Sequence, residues 1–281
     1  MREIDKVYID ICKNILKNGE IIYDSQGRTI EDTKEIRNYQ FTIHNPKQNI
    51  LSVRNLSYNY LCGELSWYMS GSNDLKYISQ FGSLWNKMTD DGKTVNSAYG
   101  DIIFNRHNFN QLETIINLLK TDKNSRRAVI NINVPNKEVI TTHDEPCTIC
   151  LQFLIRDEKL HLTAMMRSND IWFGLPYDIV FFTCLQQIIA DKLNIECGTY
   201  THFATSLHMY LRDEDKIREV IKKHSQNAKY IDALKLYNER SSIYTDINKD
   251  TFDKKETKKY FENKKILNDE EVYDENKNNK V

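Results

Sequence analysis

Apolar and polar positions alternate with a period of two in two consecutive runs. Ile149, Leu151, Phe153 and Ile155 form one, and Leu160, Leu162, Ala164 and Met166 the other, with Asp157, Glu158 and Lys159 between them. That period predicts two half-buried strands joined by a turn, which places Cys147 and Arg167 at their outer ends. Past Pro176 the period changes: Ile179, Phe182, Leu185, Ile188, Ile189 and Leu193 recur at helical spacing, with the proline in the first turn where its missing N–H costs little. Upstream, Ile4, Val7, Tyr8, Ile11 and Ile15 trace a helical face that stops at Gly19, and Tyr39, Phe41 and Ile43 alternate before Asn45-Pro46. Leu56, Tyr60, Leu61 and Leu65 predict another helix, as do Phe109, Leu112, Ile115, Ile116 and Leu119, and residues 127–134 return to alternation. The expectation is an α+β fold, one large mixed sheet packed with helices and without internal repeats.

A chain of 281 residues can bury a sizeable core as one unit, and a single catalytic domain is expected over 1–225. Over 226–281 Lys, Asn, Asp and Glu crowd the sequence, which predicts a charged C-terminal segment, partly helical or flexible. The 39 basic and 40 acidic residues nearly cancel, so the overall field favours neither a nucleic acid nor a membrane partner, and any phosphate site must be local. With no apolar run long enough to cross a bilayer and no signal-like start, a cytoplasmic protein is expected, the bacterial or phage-infected cytosol included. Cys12, Cys62 and Cys184 fall in apolar helical patterns, which suits buried reduced thiols.

Cys147 follows Pro146 at the start of a strand, and a thiol attacks carbon only as thiolate, so it needs positive charge within reach. Arg167, across the predicted hairpin, can supply it. Cys147 and Cys150 also form a CxxC preceded by His143 and Glu145, the elements of a zinc nucleobase deaminase. In that motif the elements open separate helices, whereas here they are contiguous and run into a strand. No metal is therefore expected, and Cys150 reads as structural.

The motifs taken together resemble those of the thymidylate synthases and their pyrimidine-nucleotide hydroxymethylase relatives. The resemblance runs colinearly from about Gly27 to about Asp213. It is carried by Glu64 and Trp67 in GELSWYMSG, Trp85, Tyr99 and Gly100 in SAYG, Arg126 and Arg127 in NSRRAVI, Cys147 in PC, then RSND, GLPYD, and His208 with Tyr210 in SLHMY. It implies a thiolate of Cys147 that adds to C6 of a pyrimidine nucleoside monophosphate, so that C5 can attack the methylene of 5,10-methylenetetrahydrofolate. Glu64 would order water and relay protons, with Tyr99 and Asp178 completing the catalytic set. Phosphate and sugar would be held by Arg28, Arg126, Arg127, Arg167, Ser168, Asn169, His208 and Tyr210. Trp85, Asp170 and Phe173 would line the folate site. Arg126 and Arg127 would reach a neighbouring subunit, which implies a homodimer with shared active sites.

Two positions depart from the thymidylate synthase pattern. Thr148 stands where a histidine often follows the nucleophile, and Asp178 where an asparagine is usual. An amide matches uracil N3–H and O4, whereas a carboxyl suits cytosine, whose N3 accepts and whose N4 amino group donates. The same aspartate occurs in the deoxycytidylate hydroxymethylases that the chain resembles. The implied reaction is one-carbon transfer to dCMP or CMP with addition of water, giving the 5-hydroxymethyl nucleotide. Reductive methylation of dUMP or dCMP is the alternative, and a non-catalytic nucleic-acid-binding relative a third.

Overall fold

The computed structural model describes residues 1–23, 31–134, 141–222 and Ala233. In chain order the elements are α1 (Glu3–Asn18), β1 (Glu20–Ile22), β2 (Thr33–Ile43), α2 (Tyr58–Met69), α3 (Leu75–Ser79), α4 (Tyr99–Phe104), α5 (Gln111–Thr121), β3 (Val129–Asn131), β4 (Thr148–Arg156), β5 (Lys159–Met166), β6 (Asn169–Asp170), α6 (Leu175–Leu193), β7 (Glu196–Tyr210) and α7 (Glu214–Lys222). The strands form one sheet in the order β1-β2-β7-β5-β4-β3, with β6 added beside β7. Neighbours are antiparallel except β5 and β6, which run parallel to β7, so the sheet is mixed as the sequence predicts. The charged segment predicted over 226–281 lies outside the described residues apart from Ala233, whose N–H donates to Asn49 Oδ1 at 3.4 Å.

The hairpin β4–β5 sets the geometry of the site. Asp157 and Glu158 both adopt positive φ, 50° and 54°, the paired left-handed conformation whose twist suits a two-residue hairpin turn. The turn is shorter than predicted, because Lys159 already pairs with Arg156. A two-residue loop fixes register, and seven pairs later Thr148 faces Met166. Cys147 and Arg167 thereby meet just beyond the strand ends, where the Arg167 N–H donates to the Cys147 carbonyl at 2.8 Å. The alternation fails at one end. A bulge between Thr148 and Cys150 turns Thr148 inward and leaves Ile149 40% exposed, although its spacing from Leu151 predicts burial.

Helix α6 is apolar on nearly all sides and is buried accordingly, with Ile179, Phe182, Leu185 and Ile189 at 2% exposure or less. It crosses behind β5 and β7 and carries Asp178 in its first turn. Tyr99 is held by close approach of α4 to α2: a Cβ on Gly100 would lie 1.9 Å from the Tyr68 carbonyl oxygen, so only glycine fits. The rings of Tyr68 and Tyr99 then stack at 5.2 Å. Phe109 lies ahead of α5 and is 52% exposed, and regular pairing over the predicted 127–134 strand is confined to β3. Cys12, Cys62 and Cys184 are buried on α1, α2 and α6.

Candidate active site

Cys147 is half-buried at the mouth of the hairpin, with its Sγ 3.7 Å from Arg167 Nη2. The guanidinium is fixed by two carbonyls on the loop ahead of the cysteine: Nε donates to Pro146 O at 2.9 Å and Nη2 to Glu145 O at 2.7 Å. Burial nevertheless dominates and pushes the thiol up to about 11; Arg167 opposes this, while Asp178, Asp144 and Asp170 add to it. Within this one chain, burial and, after it, the three carboxyl groups outweigh the single arginine, so the thiol stays raised.

Asp178 is the centre of that acidic group. Its Oδ2 accepts from Asn169 Nδ2 at 2.7 Å, and burial raises the carboxyl to about 7, with the Asn169 bond lowering it and Asp170 raising it. A Cβ on Gly174 would sit 3.1 Å from Asn169 Nδ2 and 3.4 Å from Asp178 Oδ2, so the glycine leaves room for this bond. Asn169 Oδ1 is buried without a hydrogen-bond partner among the described residues.

Glu64 is buried on α2, and its Oε1 accepts from the Tyr60 hydroxyl at 2.6 Å. Burial lifts its carboxyl to about 8; the Tyr60 bond pulls it down and Asp178 pushes it further up. Two carboxyl groups near one another, each raised into the neutral range, suit proton transfer at physiological pH. Tyr99 accepts from Thr148 Oγ1 at 2.9 Å, and burial, Asp178 and Cys147 all hold its hydroxyl well above the usual range, in the protonated form.

The parallel pairing of β6 with β7 brings Asp170 opposite His208, and Ser168 Oγ lies 3.5 Å from His208 Nδ1. His208 and Tyr210 alternate on β7, with ring centroids 5.5 Å apart. Burial depresses the His208 imidazole, against the pull of Asp170. Asp170 caps the turn into α6, its two oxygens accepting from the N–H groups of Trp172 at 2.9 Å and Phe173 at 3.1 Å, and burial raises its carboxyl. Trp85 is half-buried and Phe173 is 44% exposed. Arg126 and Arg127 are exposed on the loop before β3 and are not drawn into this chain's own pocket. Arg28 lies outside the described residues.

Three residues near the site are missing from the sequence reading. Arg54 is buried with its guanidinium 4.2 Å from the Trp172 ring centroid, and its Nε and Nη1 have no hydrogen-bond partner among the described residues. A single cation amid Ile50, Leu51, Val53 and Leu56 was the available signal. Tyr60 stands four residues before Glu64 on one helix face, a spacing visible in the sequence. Asp144 is fully buried, with Oδ2 accepting from the Ser97 N–H at 2.8 Å; its signal is drowned by the CxxC that follows. Among the described residues no group of three His, Cys, Asp or Glu side chains is placed to hold a metal ion, and no helix is long and apolar enough to cross a membrane.

Comparison with known proteins gives a consistent result. Residues 6–269 match the family model described as Thymidylate synthase. Over 234 residues the chain is 30% identical to the deoxyuridylate hydroxymethyltransferase of Bacillus phage SP01, an alignment covering 78% of this chain but 60% of the phage protein. It is 27% identical over 234 residues to thymidylate synthase 1 of Bacillus spizizenii, covering 78% of this chain and 83% of that protein. Among solved structures, the thermostable thymidylate synthase A from Bacillus subtilis superposes with a TM-score of 0.66 at 27% identity, over 80% of this chain and 86% of the other.

Proposed function

Because this chain belongs to the thymidylate synthase family, we propose that it transfers a one-carbon unit from 5,10-methylenetetrahydrofolate to C5 of a cytidine monophosphate, dCMP or CMP, and adds water to give the 5-hydroxymethyl nucleotide. The observation that carries the base choice is Asp178, a carboxyl raised to about 7 with one oxygen taken by Asn169. Its remaining oxygen, when protonated, donates to the cytosine N3 acceptor, and when ionised accepts from the N4 amino group.

The surroundings fit a flat cofactor with an anionic tail, since half-buried Trp85 and exposed Phe173 offer ring faces and Arg54, whose Nε and Nη1 have no hydrogen-bond partner among the described residues, lies against Trp172. When bound, the folate supplies carbon at the oxidation level of formaldehyde. Cys147 forms a bond to C6 of the base, and that bond breaks again once C5 has lost its proton, which releases the product and the free thiolate. Arg167 and Ser168 hold the nucleotide phosphate beside it, and His208 and Tyr210 hold the sugar. Tyr99 keeps its proton and orients Thr148 beneath the nucleophile. Glu64 holds the proton exchanged with the water that enters at the new carbon.

Arg126 and Arg127 project from this chain to a second copy's phosphate, so the active unit is a homodimer with shared sites. Their positive charge in the partner's pocket opposes the burial and the three carboxyl groups that raise the Cys147 thiol.

A second reading, hydroxymethylation of dUMP, is favoured by the 30% identity to the phage enzyme of that name. With one oxygen held by Asn169, the other, when protonated, donates to uracil O4. Incubating the protein with dCMP, CMP and dUMP in parallel, each with methylenetetrahydrofolate, and reading products by mass spectrometry tests both. A hydroxymethylated cytosine nucleotide supports the first reading, and a hydroxymethylated uracil nucleotide alone replaces it with the second.

A further inference from the structure

Tyr60 and Glu64 lie four residues apart on α2, so their side chains share one face. The Tyr60 hydroxyl makes two hydrogen bonds: it donates to Glu64 Oε1 at 2.6 Å and accepts from Trp85 Nε1 at 2.9 Å. An indole N–H can only donate. The Tyr60 oxygen is therefore held as an acceptor on the Trp85 side, and its single proton has one place to go, Glu64 Oε1. A reversed arrangement, with Glu64 donating from Oε1, would leave the phenolic proton without an acceptor in a site where the Tyr177 ring packs edge-on at 4.8 Å.

We infer that Tyr60 is a positioning residue for the proposed reaction, confining the exchangeable proton of Glu64 to Oε2. The chain Trp85 to Tyr60 to Glu64 is one-way. It starts at a donor-only group and ends on the oxygen that must accept, so the other oxygen alone gives and takes protons. This rests on the proton-handling role given to Glu64 above. Burial and the neighbouring Glu64 hold the Tyr60 phenol well above its usual range, so it does not itself release the proton it donates. The other titratable groups that couple to Glu64 are Asp178 from α6, Tyr68 on α2 and Tyr99 on α4, and both tyrosines keep their protons.

The chain also links two parts of the site. Trp85 stands at the ring-lined side, packed edge-on against Trp67 at 5.2 Å, whereas Tyr177 immediately precedes Asp178. Tyr60 touches both, so the side chain that orients Glu64 is itself clamped between the aromatic wall and the base-reading helix.

Tyr60→Phe keeps the ring and its packing and removes only the hydroxyl. In the substrate-free protein, infrared difference titration, with Glu64→Gln to assign the band, is expected to show the Glu64 carboxyl titrating about one pH unit higher or more, since the ionised form loses a donor. Turnover is expected to fall about tenfold to a hundredfold in kcat, with the pH limb moved the same way and nucleotide KM changed less than about twofold. Should Tyr60→Phe not fold, Trp85→Phe frees the hydroxyl to rotate, and the same titration is expected to move upward by a smaller amount. An unmoved Glu64 titration overturns the inference, as does a Tyr60→Phe loss confined to KM. If the native chain turns over no pyrimidine nucleotide, the reaction and the positioning role fall together, while the titration still reports whether the hydrogen-bonded chain exists.

Discussion

Replacing Asp178 by Asn changes one atom position, and the structure says which. In the native site Oδ2 accepts from Asn169 Nδ2 at 2.7 Å. An asparagine at 178 has one acceptor oxygen, which must take over this bond, so its NH2 group falls where Oδ1 stood. That group donates to uracil O4 but meets the N4–H2 donor of cytosine. A buried donor facing a donor costs about 1–3 kcal/mol, which is about fivefold to 150-fold in specificity. The pH dependence changes as well. Because the native carboxyl titrates near 7, kcat/KM for a cytosine nucleotide should fall as pH rises through that value and the N3-donating form is lost, and the Asn variant should lack this limb. Competition between equimolar dCMP and dUMP, with products quantified over a range of pH, measures both effects. A native enzyme preferring dUMP, or an unchanged product ratio in Asp178→Asn, would show that Asp178 does not read the base.

Other expectations follow from the same geometry. Cys147→Ser should abolish turnover while leaving nucleotide binding within about threefold by calorimetry, since an alcohol ionises far less readily than a thiol; Cys150→Ser, half-buried beside Met165 at 3.7 Å, should be mild. Inactive Cys147→Ser and Arg127→Ala subunits, mixed and re-equilibrated, should regain activity through the hybrid site that holds both intact groups, and an active monomer in sedimentation would rule out the shared site. His202 is fully buried between the Tyr200 hydroxyl, 2.7 Å from Nδ1, and the stacked Phe41 ring, and burial lowers its imidazole to about 3. The fold therefore favours the neutral ring: its contribution is complete above the unfolded value near 6.5 and is lost as pH falls below it, by about 2 kcal/mol between pH 6.5 and 5. Denaturant unfolding at those two pH values should show a smaller loss in His202→Gln than in the native chain, the remainder coming from other buried groups such as His208.

How much of this was legible beforehand depends on the range of the interactions. The hairpin and α6 follow from period and turn chemistry because local sequence decides them, and the hairpin register then carries Cys147 to Arg167. Glu64 reads as buried because Leu65 and Trp67 flank it. The bulge that exposes Ile149 depends on the mismatch with β5, so no property of β4 alone announces it. Short helices α3 and α4 have too few residues for a period, and α4 is fixed by the contact of Gly100 with α2. Charged residues surround Ile217 and Val220 and hide the buried stripe of α7. The electrostatics around Cys147 are hidden in the sequence for a related reason: burial, and Asp144, Asp170 and Asp178 that converge only in three dimensions, together outweigh Arg167.

The proposed hydroxymethylation requires that water, not hydride, complete the reaction on the pyrimidine nucleotide. Running the reaction with dCMP and methylenetetrahydrofolate in heavy-oxygen water tests it most directly. The expected product is a nucleotide heavier by one formaldehyde unit that carries the heavy oxygen, with tetrahydrofolate released in equal amount. A methylated nucleotide without the label, accompanied by dihydrofolate, would replace water addition with reductive methylation.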